Sequence, residues 1–337
     1  MIGAGAFGRN HARVYSELQQ EGIVELAAVV DADAARAKTV ASQFGAKSFT
    51  SVKEMLGVLK PQAASVAVPT VHHAAVACEL MEAGVDVLIE KPVASSLGDA
   101  DRIIETAERC GRVAQVGHLE RFNPAVRATL PLITKPMFFE VHRLSVFTPR
   151  ALDVDVVLDL MIHDLDIVLS FVKSPVKEIR AVGLPILSGK VDIANVRMEF
   201  ESGCVANFTA SRVSTERVRK LRFFQPQEYV SIDYSRQDVF ALKVDSAAVM
   251  AAMMSRAVPT DSLAGLIKPR KPEVKQEEPL RAELVAFLNS VRSRTAPVVT
   301  LTDGRRALAV ALDVLSGIAE HNRRVHVGEE QVLGIHR

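Results

Sequence analysis

The sequence has no tryptophan and only three cysteines among 337 residues. Cys78, Cys110 and Cys204 form no C-x-x-C pair, and their odd number argues against a disulfide framework. We therefore expect free thiols in a reducing cytoplasm rather than the stapled fold of a small secreted domain.

The sequence also lacks a strong net charge and a long apolar run. The formal charge is +1 and the pI is near 7.8, which gives no reason to expect nucleic acid or an anionic membrane as a partner. No apolar run reaches the roughly 18 to 20 residues that span a bilayer, and no basic segment leads into a long apolar stretch at the N-terminus. A small anionic ligand remains compatible with this balance, because one local pocket can bind it.

Residues 1–120 alternate strand-like and helix-like segments. Nearly continuous apolar strands separated by helices are typical of a parallel sheet covered on both faces, so we predict an α/β Rossmann domain with a doubly wound parallel sheet. The predicted strands are 24–30, 63–69, 86–90 and 112–117, and the predicted helices are 7–19, 33–43, 71–83 and 96–110.

Residues 121–337 show a different pattern, in which several strand candidates follow one another. This succession predicts a second α/β domain with an open, mostly antiparallel sheet. The predicted strands are 136–146, 176–187, 191–200, 204–213, 219–233 and 237–244, and the predicted helices are 122–133, 153–172, 279–294 and 303–321. Residues 256–279 contain four prolines and are predicted to form a surface loop. An open sheet with helices on one face leaves the other to be buried, so we expect substrate binding and self-association here, as a homodimer or homotetramer.

The first glycines spell "GAGAFG", a G-x-G-x-x-G made by Gly3, Gly5 and Gly8. Such glycines allow a tight turn and a close approach to a pyrophosphate, and the helix that starts near Phe7 offers free N–H groups to the phosphates. We predict that these glycines, with Ala6 and Phe7, bind a dinucleotide.

Asp31 ends the second apolar strand, 23 positions after Gly8. This is near the spacing of the acid that binds the adenosine ribose in dinucleotide-binding folds. A carboxylate there repels a 2′-phosphate, so the cofactor is expected to be NAD rather than NADP. Asp31 could instead cap the next helix, but Asp33 can fill that position, which favours the ribose role.

Only Met1 and Ile2 precede Gly3, although a strand usually needs about five residues. We expect either a truncated central strand or a chain start that lies upstream.

The segment "DLMIHDLD", residues 159–166, places three aspartates and a histidine inside an apolar run. Asp159 and His163 are four residues apart and would share one face of a helix, with Asp166 on the same face. From the residues alone the segment can be a solvent-facing polar stripe or a divalent metal site, and a third interpretation, a catalytic pair, comes only from the family resemblance given below. Apolar residues on all sides argue against the first, and the lack of a further clustered ligand argues against a metal, so we expect none.

The run "VPTVHHAAVACELMEAGVDVLIEKPVASSLGDADRII" adds an E-K-P motif at the end of a strand. Together with the glycine-rich loop and the D-x-x-x-H of the second domain, it resembles the glucose–fructose oxidoreductase / inositol dehydrogenase / rhizopine-catabolism (Gfo/Idh/MocA) family. The resemblance covers essentially the whole chain. It implies an enzyme, an NAD-dependent dehydrogenase that acts on a CH–OH group of a sugar.

The resemblance also implies roles for particular residues in the first domain. Lys91 is expected to reach the nicotinamide and the substrate hydroxyl, beside Glu90, and Pro92 is expected to be cis. Further cofactor contacts are expected from a region that matches the family's T-P-x-x-x-H with the first two residues reversed, at Pro69, Thr70 and His73.

In the second domain the resemblance implies that the helix with the D-x-x-x-H faces the nicotinamide. His163 would be the general base, because a neutral imidazole takes a hydroxyl proton at neutral pH. Asp159 would bind a substrate hydroxyl or tune His163. Lys91 would hydrogen-bond the same hydroxyl and stabilise developing alkoxide charge.

The junction "GHLERFNPAV", joined with "FTPR" and the D-x-x-x-H helix, is similar to a branch of the family that oxidises UDP-N-acetylglucosamine at its 3-hydroxyl. That oxidation prepares a 2,3-diamino sugar for lipid A. The candidates for sugar and phosphate contacts are Glu120, Arg121, Asn123 and Arg150. The planar fork of an arginine suits a diphosphate, although Arg121 could pair with Glu120 and Arg150 could lie on the surface.

Three other functions compete with this one. A dehydrogenase for inositol or another free polyol would need no diphosphate site. A non-catalytic NAD-binding sensor would usually lose the lysine or the histidine, and both are present. A reductase similar to biliverdin reductase is disfavoured by the D-x-x-x-H.

Overall fold

The computed structural model describes residues 1–148, 154–246, 249–250 and 266–325. The chain divides into two compact units, residues 1–122 with 277–309 and residues 123–276 with the chain from 310 onward. The predicted boundary near residue 120 lies close to this division, but residues 277–309 join the first unit. Their helix, Pro279–Ser293, packs its apolar side on the helix Ala6–Gln20, a return that amphipathicity alone does not reveal.

The first unit contains parallel strands with helices, which confirms the predicted Rossmann architecture. Its strands are Ala28–Val30, Lys47–Phe49, Ala63–Val66, Asp86–Glu90 and Ala114–Gly117. Its helices are Ala6–Gln20, Ala34–Phe44, Val52–Val58, His73–Glu82, Leu97–Cys110 and Pro279–Ser293. The short elements Lys47–Phe49 and Val52–Val58 were not predicted, since segments of this length carry little periodicity.

Ile2 occupies the central position of this sheet and bridges Val30 on one side and Val66 on the other. The central element therefore consists of isolated bridges at one residue. The Met1 ammonium is buried and donates to the carbonyl of Ala28 at 2.8 Å. Burial lowers the pKa of this ammonium to about 5.

The second unit contains an eight-stranded sheet. Its strands in spatial order are Ile267–Arg270, Asp238–Val244, Glu228–Asp233, Val218–Gln225, Phe138–Val146, Val205–Ser214, Ile193–Phe200 and Val176–Leu184. All neighbours are antiparallel except Phe138–Val146 with Val205–Ser214, so the prediction of a mostly antiparallel sheet is confirmed. The predicted strand 219–233 is two strands, because the chain turns at Gln227, which has a φ of 65°.

One face of this sheet packs on a short helix, Ile162–Phe171. From Phe138 to Leu144 the strand Phe138–Val146 alternates between half-buried and buried side chains, which is typical of a sheet with one covered face. Phe139 and Phe223 meet on the covered face with ring centroids 5.5 Å apart, and Phe171 of the helix lies 6.1 Å from Phe223. This aromatic cluster packs against the helix that carries His163 of the D-x-x-x-H motif.

Part of the predicted loop 256–279, up to residue 265, lies outside the described residues. The remainder includes the edge strand Ile267–Arg270, whose side chains are all exposed. Lys268 pairs with Asp245 and Lys271 with Asp238 at the surface. Both lysine side chains are largely exposed to solvent. The structure also describes the helices Pro124–Thr129 and Leu301–Arg324.

Candidate active-site residues

The three glycines of the first loop have different surroundings. Gly3 has a φ of +91°, and a Cβ there would lie 2.6 Å from the carbonyl oxygen of Ala67. A Cβ at Gly8 would lie 1.7 Å from the carbonyl oxygen of Gly3. Nothing lies within 4 Å of a Cβ at Gly5. Gly3 and Gly8 therefore close the turn itself, while Gly5 leaves open space.

The helix Ala6–Gln20 begins at this open space without a side-chain cap and without an acidic residue in its first turn. Gly5, Ala6 and Phe7 are exposed, and Phe7 keeps 55% of its surface accessible. Free N–H groups and the positive end of the helix dipole are thus available to an anion. These features fit the pyrophosphate of a dinucleotide.

Asp31 is buried, and its carboxylate accepts four hydrogen bonds. The donors are the Ala4 N–H at 2.7 Å, the Asp33 N–H at 2.9 Å, and the Nε and Nη2 groups of Arg36 at 3.0 and 2.7 Å. Burial opposes ionisation of Asp31, but the bonds from Arg36 and the two backbone groups outweigh it and hold the pKa of this carboxyl below its ordinary value. A carboxylate has about four acceptor positions, so ribose hydroxyls must displace Arg36 to bind here.

Asp33 caps the helix Ala34–Phe44, as the sequence predicts, because its side chain accepts from the Arg36 N–H at 3.0 Å. Asp31 is therefore free of the capping role. Arg36 itself was missed. Its side chain is half exposed in the first turn of that helix. The sequence pattern does not distinguish such an arginine from an ordinary surface residue.

The E-K-P motif ends the strand Asp86–Glu90, and the Lys91–Pro92 peptide bond is cis, as expected. Glu90 Oε1 accepts from His11 Nε2 at 2.8 Å, and Glu90 Oε2 accepts from the Lys91 N–H at 3.2 Å. Burial opposes ionisation of Glu90, but the bond from His11 and the charge of Lys91 lower the pKa of this carboxyl. Glu90 is therefore a carboxylate that links the first helix to the backbone of Lys91.

The region of Pro69, Thr70 and His73 follows the strand Ala63–Val66. A 3₁₀ turn, Thr70–His72, comes first, and Pro69 is exposed. His73 is buried, with Nε2 at 2.9 Å from the Val68 carbonyl and Nδ1 at 3.0 Å from the Pro92 carbonyl. Burial lowers the pKa of this imidazole, and in its neutral form it donates to one of these two oxygens. His73 thus ties two strand ends together, and its contact with the cofactor stays a prediction.

The second unit carries Asp159 and His163 on one short segment. The sequence predicts a continuous α-helix, but Val157–Met161 is a π-helical turn that leads into the α-helix Ile162–Phe171. Both side chains are half-buried. Such wide turns inside α-helices occur frequently at functional sites.

Two of the three aspartates in this apolar segment, Asp164 and Asp166, are buried. Asp164 accepts from Arg143 Nε at 2.6 Å and from Arg143 Nη2 at 2.9 Å. The Arg143 guanidinium also lies 5.2 Å from the ring centroid of Tyr234. The sequence did not point to Arg143, which lies 21 residues before Asp164. An inward-facing arginine interrupts the apolar alternation of its strand, but the pattern does not indicate which acid it pairs with.

The predicted substrate contacts have different surroundings. Glu120 is buried and Arg121 half-buried, on a 3₁₀ turn of the first unit. Asn123 is buried, accepts from the Ala125 N–H at 3.1 Å and donates to the Tyr234 carbonyl at 3.1 Å. Its amide thus joins the start of the helix Pro124–Thr129 to the chain at Tyr234, and its contact with substrate stays a prediction. Arg150 lies outside the described residues.

Comparison with known families assigns the chain to a class. Residues 1–118 match the oxidoreductase family with an NAD-binding Rossmann fold, and residues 136–226 match the GFO/IDH/MocA C-terminal domain. The chain therefore belongs to the GFO/IDH/MocA family of oxidoreductases, and the predicted family, enzyme class and NAD cofactor are confirmed.

Individual relatives narrow the comparison. The chain is 34% identical over 315 residues to UDP-N-acetylglucosamine 3-dehydrogenase of Acidithiobacillus ferrooxidans, covering 93% of this chain and 95% of that protein. A solved structure of that enzyme superposes with a TM-score of 0.82, covering 94% of this chain and 96% of that one. Inositol 2-dehydrogenase of Acidothermus cellulolyticus is 32% identical over 190 residues, covering 54% of this chain and 55% of that protein.

Among the residues that the structure describes, none of the helices combines the length and hydropathy needed to cross a bilayer.

Proposed function

We propose that the protein oxidises the 3-hydroxyl of UDP-N-acetylglucosamine to the 3-keto sugar, with NAD as the acceptor. The observation that carries this proposal is the 34% identity to a UDP-N-acetylglucosamine 3-dehydrogenase, which extends over 93% of the chain. The inositol dehydrogenase relative is matched over only 54% of the chain. The retention of Lys91, Asp159 and His163 supports a catalytic protein over a sensor.

The first unit would hold the cofactor. The open helix start at Gly5, Ala6 and Phe7 would take the pyrophosphate, and Asp31 would take the adenosine ribose once Arg36 has moved. Bound NAD accepts the hydride that leaves the substrate carbon. Pro69, Thr70 and His73 would line the nicotinamide side.

Three side chains would act on the substrate hydroxyl. His163, as a neutral imidazole, would remove the hydroxyl proton while the carbon–hydrogen bond breaks. Lys91 would donate a hydrogen bond to the same oxygen and stabilise the negative charge that develops on it. Asp159 would bind a neighbouring hydroxyl or orient His163. The alcohol thus loses one proton and one hydride and becomes a ketone.

The nucleotide half of the substrate would need cationic contacts. Arg121 and Arg150 are the proposed ones, because a guanidinium binds two phosphate oxygens at once. Glu120 is the proposed acceptor for a sugar hydroxyl. A free polyol has no diphosphate, so binding of a nucleotide sugar would depend on these arginines and binding of a free polyol would not.

The test is an assay of NADH formation with UDP-N-acetylglucosamine, other UDP-sugars, myo-inositol and glucose. We expect turnover with UDP-N-acetylglucosamine and little with the free polyols. Arg121→Ala should raise KM for the UDP-sugar while leaving KM for NAD unchanged. Efficient turnover of myo-inositol without turnover of any UDP-sugar would replace this proposal by the polyol dehydrogenase.

We also propose a cytoplasmic role in making the 2,3-diamino sugar of lipid A, and a homodimer or homotetramer. The open face of the eight-stranded sheet supports the oligomer. Phe224 contacts Phe138 and Tyr229 there at centroid distances of 5.7 and 5.2 Å, and Phe224 remains exposed. A second copy would bury this face. Light scattering that gives the mass of a monomer would contradict the oligomer.

A further inference from the structure

Three ionisable side chains of the first unit lie close together at Glu90, the first residue of the E-K-P motif. His11 comes from the helix Ala6–Gln20, Glu90 from the end of its strand, and Glu283 from the helix Pro279–Ser293. One polar atom of each lies within 4.8 Å of the others. None of the proposed catalytic steps uses Glu283.

Glu283 is fully buried, and neither oxygen of its carboxyl group has a hydrogen-bond partner among the described residues. Its helix neighbours Leu280, Leu284 and Phe287 belong to the hydrophobic core. Burying an acid without a hydrogen-bond partner lowers the stability of the fold. Its presence here therefore indicates a role toward the groups beside it. His11 and Glu90 each place a polar atom within 4.8 Å of one of its carboxyl oxygens.

Other polar groups also stand on the surrounding elements. Tyr15 belongs to the first helix, and its hydroxyl is bonded to Ser65 at 2.7 Å. Gln115 donates from Nε2 to the Glu283 main-chain carbonyl at 3.4 Å. Glu120 and Arg121 stand on the 3₁₀ turn that the helix Pro279–Ser293 contacts.

Two carboxylates cannot both be charged this close together in an apolar setting. Burial raises the pKa of Glu283 well above its ordinary value, and the charge of Glu90 raises it further. Glu90 keeps its charge because His11 and the Lys91 N–H donate to it. The proton therefore resides on Glu283.

A divalent cation is the other species that could join these three side chains. The hydrogen bond from His11 to Glu90 needs a proton on the imidazole nitrogen, which a metal would replace. The charge of Lys91 also acts on Glu90, and it would repel a second cation. The cluster is therefore better suited to a proton.

We propose that Glu283 is a positioning residue: as a neutral carboxylic acid within 4.8 Å of the Glu90 carboxylate, it stabilises the charge of Glu90 through its O–H dipole and, through Glu90, sets Lys91 for the hydroxyl chemistry. This inference rests on the proposed catalytic role of Lys91. Glu90 connects the two because its second oxygen accepts the Lys91 N–H.

The experiment uses the full-length enzyme with Glu283→Gln and Glu283→Leu. Glutamine has the shape and neutrality of the protonated acid, whereas leucine keeps the volume and removes both polar atoms. Infrared difference spectra of wild type minus Glu283→Gln should show the carbonyl stretch of a protonated carboxylic acid that shifts in deuterium oxide. Steady-state kinetics with UDP-N-acetylglucosamine and NAD binding complete the set.

We expect Glu283→Gln to keep kcat within about threefold of wild type, and Glu283→Leu to lower kcat by about tenfold or more with NAD affinity unchanged. Absence of the infrared band would overturn the inference. So would a leucine variant with the kcat of wild type, or a glutamine variant as impaired as the leucine variant. A wild-type enzyme that binds one equivalent of metal, which both variants lose, would also overturn it. If leucine fails to fold, the band and the glutamine variant still decide. The infrared band is measured without turnover, so it tests the protonation of Glu283 independently of the proposed function. Full activity of Lys91→Met would contradict the proposed function instead.

Discussion

Arg143 and Asp164 form a two-point ion pair inside the second unit, with Nε–Oδ2 at 2.6 Å and Nη2–Oδ1 at 2.9 Å. Both side chains are almost fully buried. Asp164 directly follows His163, so this pair anchors the proposed general base to the strand Phe138–Val146. The position of His163 thus depends on a charge pair that has no part in the reaction.

Removing one partner of this pair should destabilise the second unit strongly. Arg143→Met leaves the Asp164 carboxylate buried without its cation, and the expected loss is about 3–5 kcal/mol in the free energy of unfolding. Urea unfolding measures it. The matched control is Arg222→Met, since Arg222 pairs with Glu140 at 3.7 Å on the exposed face and should cost no more than about 1 kcal/mol. Equal losses in the two variants would contradict the anchoring role.

Two glycines of the glycine-rich loop are expected to have different roles, Gly5 in cofactor binding and Gly8 in folding. Gly5 has a φ of −65° and open space where a Cβ would lie, so Gly5→Ala should leave the melting temperature unchanged. The added methyl group occupies the space assigned to the pyrophosphate, and NAD affinity should fall by about tenfold or more. Gly8→Ala should instead lower stability, because its Cβ meets the Gly3 carbonyl at 1.7 Å. Calorimetry and NAD titration check both, and unchanged NAD affinity in Gly5→Ala would remove the loop from the cofactor site.

Arg36 should influence the choice between NAD and NADP. It covers Asp31 and is the cation closest to the proposed ribose site, where it would favour a 2′-phosphate. Arg36→Ala should therefore raise the ratio of kcat/KM for NAD over NADP by about tenfold. Asp31→Ala, as the counterpart, should lower that ratio. A ratio that Arg36→Ala leaves unchanged would exclude this arginine from the cofactor site.

Stability should depend on pH through Glu283, with a defined sign. Folding raises the pKa of this carboxyl above its ordinary value of 4.5, so the folded chain binds the proton more tightly. Its contribution to stability is complete below that ordinary value and declines as pH rises toward the folded pKa. Because glutamine does not titrate, Glu283→Gln should gain stability over wild type as pH rises from about 5 to 8, by at most about 1.4 kcal/mol per pH unit. Unfolding curves at several pH values test this, and a difference that shrinks with rising pH would show the opposite shift.

The sequence revealed the parts of the site that are local in the chain. The spacing from Gly8 to Asp31, the capping role of Asp33 and the strand before Lys91 all depend on neighbours within a few dozen residues. The succession of strand candidates likewise predicted the mostly antiparallel sheet. The π-helical turn at Asp159 was not predictable, because a five-residue widening leaves the apolar pattern nearly intact.

The partners that hold these residues came from distant parts of the chain. Glu283 stands near Glu90 across 193 positions, and no periodicity connects them. One signal was present, since Glu283 lies between Leu280 and Phe287 on the apolar side of an amphipathic helix, where an acid is out of place. His11 gave a similar signal, because Ala12, Tyr15 and its other helix neighbours on that face are buried.

Lys91 and His163 are proposed to act on one hydroxyl, and their variants separate chemistry from binding. Lys91→Met and His163→Ala should each lower kcat by about 100- to 10,000-fold, because proton transfer and charge stabilisation act in the transition state. The dissociation constant of NAD should stay close to that of wild type for His163→Ala. Stopped-flow kinetics would measure hydride transfer apart from product release. Full activity in both variants would remove these residues from the mechanism.

The most direct measurement follows the hydrogen that leaves the sugar. UDP-N-acetylglucosamine carrying deuterium only at carbon 3 is incubated with the enzyme and NAD, and the nicotinamide product is analysed by mass spectrometry. The proposed function predicts that the deuterium appears in the reduced cofactor and that a 3-keto sugar forms in equal amount. Reduced cofactor without deuterium, or deuterium retained in an oxidised sugar, would contradict oxidation at the 3-hydroxyl.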